Sequence, residues 1–268
     1  MQFDKPTVLT VDQKFRYYEE AVQNAEGEVE TLQDLYKSIR NKKAKVLRED
    51  FCGTGSVMCN WVTQGPDFYS FGVDLDPEPV NWGKENHLTK LNSEQQSRVN
   101  YILGDVFETS TEKADLIIAL NFSYFIFKKR KQLINYFTKV KEHLADDGVF
   151  VLDLFGGPES MMPLEEKTKQ KGFNYYWDCH KFNPITHECL YRIHFKPKGQ
   201  KKVKNVFTYD WRLWGFAELR EILDDAGFSK TIAYWEGDDG DGGGDGEFKP
   251  TEEIDNCDGW VGYIAALK

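Results

Sequence analysis

Between residues 11 and 41 apolar side chains return at steps of three and four. Phe15, Tyr18 and Val22 form one stripe, and Val29, Leu32, Leu35, Tyr36 and Ile39 form a second. That spacing predicts two amphipathic helices, broken at Ala25-Glu26-Gly27. The pattern then shortens and alternates with helical stretches. Strands are expected at 45–48, at 68–73 running into Asp74, at Val99–Leu103, at 115–120 and at 149–154. The stretch 115–120 is apolar throughout after its first residue, as suits a strand covered on both faces. Helices are expected at 55–64, stopped by Gly65-Pro66, from Asp76-Pro77-Glu78 onward, and at 129–144. Strands alternating with helices imply a parallel sheet wound on both faces, with its ligand at the carboxyl ends of the strands near the reversal of strand order.

After residue 171 the pattern changes. Strands at 175–182, 188–195 and 203–211 are joined by the short turns Asn183-Pro184 and Pro197-Lys198-Gly199. This predicts an antiparallel meander inserted into the α/β frame. A helix at 216–226, stopped by Gly227, and strands at 231–235 and Trp260–Leu267 complete the chain. The expected organisation is an N-terminal helical cap over 1–43 and an α/β domain over 44–268. The meander occupies 172–214.

Charge narrows the partners. The formal net charge is −10, a field that repels nucleic-acid phosphates unless a basic patch overrides it. Lys196, Lys198, Lys201, Lys202 and Lys204 make a basic run, but around Pro197 and Gly199 it reads as a solvated hairpin tip. Five scattered cysteines without a CxxC pair fit a reducing compartment, so a cytoplasmic location is expected. The first twenty residues lack the apolar core of a secretory signal, and no apolar run is long enough to cross a bilayer. Oligomeric state is not legible.

The chemistry-bearing segment is Glu49-Asp50-Phe51-Cys52-Gly53-Thr54-Gly55, between the first strand and the helix after it. Glycines there let backbone N–H groups approach a ligand closely. Asp74, nineteen residues after Gly55, closes the next strand, where a carboxylate can accept hydrogen bonds from ribose hydroxyls. No P-loop and no complete G-x-G-x-x-G is present.

From about residue 44 to 154 the chain resembles a class I S-adenosylmethionine-dependent methyltransferase. The resemblance implies a doubly wound, seven-stranded, mostly parallel Rossmann-like sheet and S-adenosylmethionine as cofactor. It rests on Cys52-Gly53-Thr54-Gly55, on Gly72-Val73-Asp74-Leu75-Asp76 and on Gly104-Asp105-Val106. By it, Glu49 is the first-strand acid, Asp74 the ribose acid and Asp105 the acid beside the adenine, flanked by Leu75 and Val106. Phe51 stands where the family has its first glycine, so Glu49 and Asp50 both remain candidates for the methionine end.

Asn121-Phe122-Ser123-Tyr124 follows the fourth strand, between cofactor and acceptor in the family. It matches the Asn-Pro-Pro-Tyr motif of amino-methyltransferases at its first and last positions only. The meander resembles the lid sheet of small-molecule methyltransferases. Its strands alternate between an aromatic face and a polar one, and a polar face turned inward would let Arg192, His194 and Arg212 hold an anionic acceptor. Tyr124, His194 and His180 are candidates for a general base, whereas His87, His143 and His187 fall on surface positions. Tyr17 and Tyr18 could close over the cofactor. The acidic stretch 238–247 fits neither an EF-hand nor a calcium repeat and reads as a flexible connection, and no ligand cluster for a metal is visible. The expected function is methyl transfer to nitrogen or oxygen of a small molecule. A protein or nucleic-acid N-methyltransferase and a non-catalytic binding module are the alternatives.

Overall fold

The structure, a computed structural model, describes residues 8–238, 240 and 244–268. Two helices open it, α1 (Val11–Val22) and α2 (Ala25–Arg40). The break falls at Gln23-Asn24 rather than at 25–27. Asn24 accepts the Gly27 N–H at 3.2 Å and so caps α2, which carries Gly27 in its first turn.

The central sheet contains β1 (Val46–Asp50), β2 (Tyr69–Asp74), β3 (Val99–Leu103), β4 (Ala114–Ala119) and β5 (Leu144–Gly156). These five are parallel. Helices α3 (Ser56–Trp61), α4 (Pro77–Asn86), the short α5 (Ser93–Gln96) and α6 (Arg130–His143) connect them. Leu47, Leu116, Ile117 and Ile118 are fully buried. Burial of such side chains stabilises the fold by roughly 1.5–3 kcal/mol each.

A second sheet follows, formed by β6 (Leu164–Lys169), β7 (Phe173–Phe182), β8 (Glu188–Pro197) and β9 (Val203–Arg212), all antiparallel. The expected meander has an additional edge strand, β6, every residue of which is exposed. Helix α7 (Phe216–Asp225) then leads back to the central sheet, which gains β10 (Lys230–Asp238), β11 (Gly244–Pro250) and β12 (Trp260–Leu267). The full order is β11-β10-β12-β5-β4-β1-β2-β3, eight strands rather than seven. The extra strand, β11, arises from the acidic stretch that read as a connection. Residues 239 and 241–243 of that stretch lie outside the described residues.

Helix α1 bridges the two sheets. Phe15 packs on Trp82 of α4 at 5.6 Å between ring centroids, while Tyr17 stacks on Phe173 of β7 at 4.1 Å and Tyr18 meets Phe207 of β9 at 4.8 Å. Thr10 and Gln13 form a capping box at its start.

Candidate functional site

Strand order reverses between β1 and β4, and a cavity of about 300 Å³ opens at their carboxyl ends. Glu49 and Asp50 are consecutive in β1, so their side chains leave opposite faces. Glu49 lines the cavity, with one oxygen accepting the Met58 N–H at 3.1 Å. Burial, then the nearby Glu28 carboxylate, hold its carboxyl well above the usual range. Asp50 points into the core instead. It pairs with the Arg48 Nε at 2.7 Å and accepts the Tyr136 hydroxyl at 3.0 Å, so it is a structural ion pair and not a cavity group.

Phe51 takes the left-handed conformation (φ 60°) that a glycine would adopt without strain. Its ring lines the cavity and packs on Tyr136 and Phe127. Gly53 (φ 53°) also lines the cavity, and a Cβ there would meet nothing within 4 Å, so its backbone is open to a ligand. Gly55 (φ 68°) serves packing: a Cβ there would come within 2.6 Å of the Tyr101 ring. Cys52 and Thr54 complete the loop's wall.

Asp74 lines the cavity from β2. Its oxygens accept the Gly53 N–H and the Asp76 N–H, each at 2.8 Å, tying the glycine loop to the second strand. Burial raises its carboxyl above the usual range. Leu75, Asp105 and Val106 do not line the cavity. Leu75 is 67% exposed at the end of β2, Asp105 accepts the Phe107 N–H at 2.9 Å, and Val106 is buried with its carbonyl accepting from Arg48.

Asn121 and Phe122 both sit at positive φ just after β4. Their N–H groups donate to the two carboxylate oxygens of Asp153 at 2.8 and 2.9 Å. Asp153 is a buried acid within the apolar run of β5, and burial pushes its carboxyl up to about 7. The roof is α1, which contributes Lys14, Phe15 and Tyr18. One oxygen of Glu19 accepts the Thr54 hydroxyl at 2.5 Å and contacts His87 Nε2 at 2.7 Å, locking α1 to the glycine loop.

A second chamber of about 230 Å³ lies beneath the lid sheet. Tyr18, Asn121, Tyr209 and Trp211 line both cavities, so these residues mark their boundary. Tyr175, Trp177 and Ile193 of the lid and Glu166 of β6 complete the chamber. The Tyr18 hydroxyl shares a hydrogen bond with that of Tyr209, and burial pushes it up to about 12, so it stays neutral. The aromatic face of the lid therefore turns inward, contrary to the arrangement that would place Arg192, His194 and Arg212 around an acceptor. Arg212 bonds Glu218 and lies over the Trp214 ring, and neither Arg192 nor Arg212 lines the chamber.

None of the three candidate bases reaches these cavities. Tyr124 is fully buried, its hydroxyl donating to the Asp153 carbonyl at 2.7 Å. His194 lies on the other face of the lid, grouped with Glu165 and Asp178. Its Nδ1 accepts the Asn205 N–H at 2.9 Å, which leaves the ring proton on Nε2, 3.3 Å from Asp178. With Nε2 protonated and Glu165 paired to Lys202 at 2.5 Å, this cluster offers a metal no free imidazole nitrogen. His180 is exposed beside Asp178.

The sequence reading missed Glu19, Asp153, Glu166 and the inward set Tyr175, Trp177, Tyr209 and Trp211. Asp153 was detectable as a lone acid inside an apolar strand. The aromatic alternation was visible too, but not which face turns inward.

No family model matches the sequence, and no curated protein is significantly similar to it. Solved structures are similar over nearly the whole chain. An S-adenosylmethionine-dependent methyltransferase from Clostridium acetobutylicum is 16% identical, with a TM-score of 0.70, over 96% of this chain and 99% of that one. The amino pentose methyltransferase CalS10 from Micromonospora echinaspora, with S-adenosylmethionine bound, is 15% identical, with a TM-score of 0.67, over 98% and 99%. The sugar N-methyltransferase KedS8 from a Streptoalloteichus species is 16% identical, with a TM-score of 0.64, over 100% and 96%. The chain has the class I methyltransferase fold, with an antiparallel sheet added to it.

Proposed function

We propose that the protein is an S-adenosylmethionine-dependent methyltransferase acting on a small molecule, at nitrogen in preference to oxygen. The observation that carries this reading is the pair of adjoining cavities with Asn121, Tyr18, Tyr209 and Trp211 between them. The first cavity suits the cofactor. Gly53 leaves room for a ligand against its backbone, and Glu49 is a buried carboxylate whose elevated pKa a neighbouring cation would bring down. Glu49 would hold the methionine ammonium and Asp74 the ribose hydroxyls, while the exposed Leu75 would be covered by the adenine and Asp105 would lie beside its amino group. When bound, S-adenosylmethionine supplies a methyl group already activated on a sulfonium.

The chain's own contribution is placement and dryness. Asp153 fixes the backbone of Asn121 and Phe122, and the Asn121 side chain can then orient an acceptor amine at the boundary. The aromatic walls exclude water and favour an ammonium or amine over an anion, because ring faces are electronegative. Glu166, the chamber's lining carboxylate, is the group best placed to receive the acceptor's proton. KedS8 and CalS10 act on sugars, which supports a small acceptor. The net charge of −10 and the acids near the chamber disfavour a nucleic-acid acceptor. Five unbridged cysteines, and the absence of any described helix long and apolar enough to cross a membrane, support a cytoplasmic location.

Calorimetry with S-adenosylmethionine and with its demethylated product tests the first step. Absence of binding at millimolar cofactor overturns the reading. Incorporation of labelled methyl from the cofactor into amine-bearing metabolites, but not into their hydroxyl counterparts, tests the second.

A further inference from the structure

A third cavity, a cleft of about 690 Å³, adjoins the aromatic chamber, and Phe122, Glu166 and Trp177 line both. It is too large to be the edge of a site for one small amine, since whole ligand sites span roughly 300–1,000 Å³. Its walls combine two kinds of group. Phe155, Trp177, Tyr191 and Trp260 supply aromatic surface, and Glu159, Glu166, Glu236 and Asp258 supply carboxylates. Among the described residues lining it there is no lysine, arginine or histidine.

The carboxylates are not engaged in folding. Glu236 accepts the Gly246 N–H at 3.1 Å, but the side chains of Glu159, Glu166 and Asp258 have no hydrogen bond or ion pair among the described residues. The backbone nevertheless gathers them: the Glu159 N–H donates to the Asp258 carbonyl at 3.0 Å, bringing these acids from separate segments together. Like charges assembled around one cleft repel each other, and a low-dielectric wall focuses their field on whatever enters. Ring faces add attraction for the same sign of ligand.

We propose that this cleft is a subsite for a second positive charge on the acceptor, so that the substrate is a di- or polycationic amine. Its reacting nitrogen lies in the aromatic chamber and its distal ammonium among Glu159, Glu236 and Asp258. The inference rests on the amine-methyltransferase reading for the reacting end only; the cleft's preference for a dication stands on its own walls. A hydrogen-bonding neutral arm would gain less from these carboxylates than an ammonium does, and an anionic arm would be expelled.

The test compares an α,ω-diaminoalkane with the 1-aminoalkane of equal chain length, by calorimetry on the full-length protein with the demethylated cofactor present. Trp177 and Trp260 fluorescence reports cleft occupancy independently of turnover. The diamine is expected to bind at least about tenfold more tightly. That advantage should fall to about twofold or less at high ionic strength. A Glu159→Gln, Asp258→Asn double variant should lose it as well, with the monoamine and the cofactor bound as before. Equal affinity for the two amines, no binding of either, or an advantage that survives both salt and the double variant overturns the proposal. Diamine selectivity in a protein that binds no cofactor would leave the cleft assignment standing and remove the methyltransferase reading alone.

Discussion

The two ends of the site are built by opposite means. At the proposed cofactor end the working groups sit on one short loop and on single residues at strand ends, so their positions follow from spacing along the chain. Glu49 and Asp74 are both held by backbone N–H groups, at 3.1 and 2.8 Å. At the proposed acceptor end the working groups are spread over four lid strands, and what matters is which face of that sheet turns inward. A loop of seven residues can be read in order; a face can be read only once something is known to lie on one side of it. The lid's inward face is aromatic because α1 and the loop after β4 offer it Tyr17, Tyr18 and Phe122 to pack against, whereas its outer face carries Glu165, Asp178 and His194.

Four measurements would break or sharpen this contrast. The largest effect belongs to Asp74→Ala. It removes the carboxylate that ties Gly53 and would receive the ribose hydroxyls, and charged hydrogen bonds of that kind contribute about 1.5–3 kcal/mol each. Cofactor affinity should drop about a hundredfold by calorimetry, with acceptor binding untouched; unchanged affinity would show the ribose site to be elsewhere.

Next comes pH. Glu49 has a raised pKa in the folded protein, so it resists ionisation until the pH is well above the usual carboxylate range. A cationic ligand favours the ionised form, so binding should release a proton. Affinity should rise with pH by at most about tenfold per unit up to that elevated pKa and level off beyond it. Glu49→Gln should remove the slope. The same shift has the opposite sign for folding: a carboxyl raised above its unfolded value loses stability as pH climbs from the unfolded pKa to the folded one. Asp153, pushed up to about 7, should contribute such a decline between about pH 4 and about pH 7. Heat denaturation across that window should show a fall, and a flat profile would contradict the raised pKa that burial gives these acids.

A smaller effect is expected for Trp177→Ala. The acceptor KM should rise about five- to tenfold through the lost ring face, while cofactor affinity stays within twofold. A cofactor defect as large as the acceptor defect would mean that the lid acts on the whole site rather than on one end. The smallest change is expected for His194→Gln. With its ring on the outer face and its proton fixed by Asn205, turnover should remain within about twofold and stability should fall by about 1 kcal/mol. A loss of activity with a shifted pH profile would restore it as a base.

Much of the frame was legible because it obeys simple periods. Strands β4 and β5 contain apolar runs, and α1, α2 and α6 carry clean helical stripes. What was not legible lacks such a signal. β6 exposes all six of its residues and only Leu164 among them is apolar, so no alternation betrays a strand. β11 is paired only along one edge and its sequence is acidic and glycine-rich. The choice between Glu49 and Asp50 depended on pleat phase, which Arg48 and Tyr136 settle by claiming Asp50. The distance of His194 from the cavities depended on the lid's orientation, and that is a tertiary fact. Asn24 displaced the first helix boundary by capping α2 with its side chain, and such a cap outweighs the turn tendency of Gly27.

The position of α1 has a further consequence. It is the roof of the first cavity through Lys14, Phe15 and Tyr18, a wall of the second through Tyr18, and it is fastened to the glycine loop by Glu19. A single element shared by two ligands makes their occupancies thermodynamically linked. Each ligand that favours the seated helix must raise the affinity of the other by the same factor, whichever arrives first. On the proposed methyltransferase reading, departure of the spent cofactor and of the methylated product would be coupled through this twelve-residue helix.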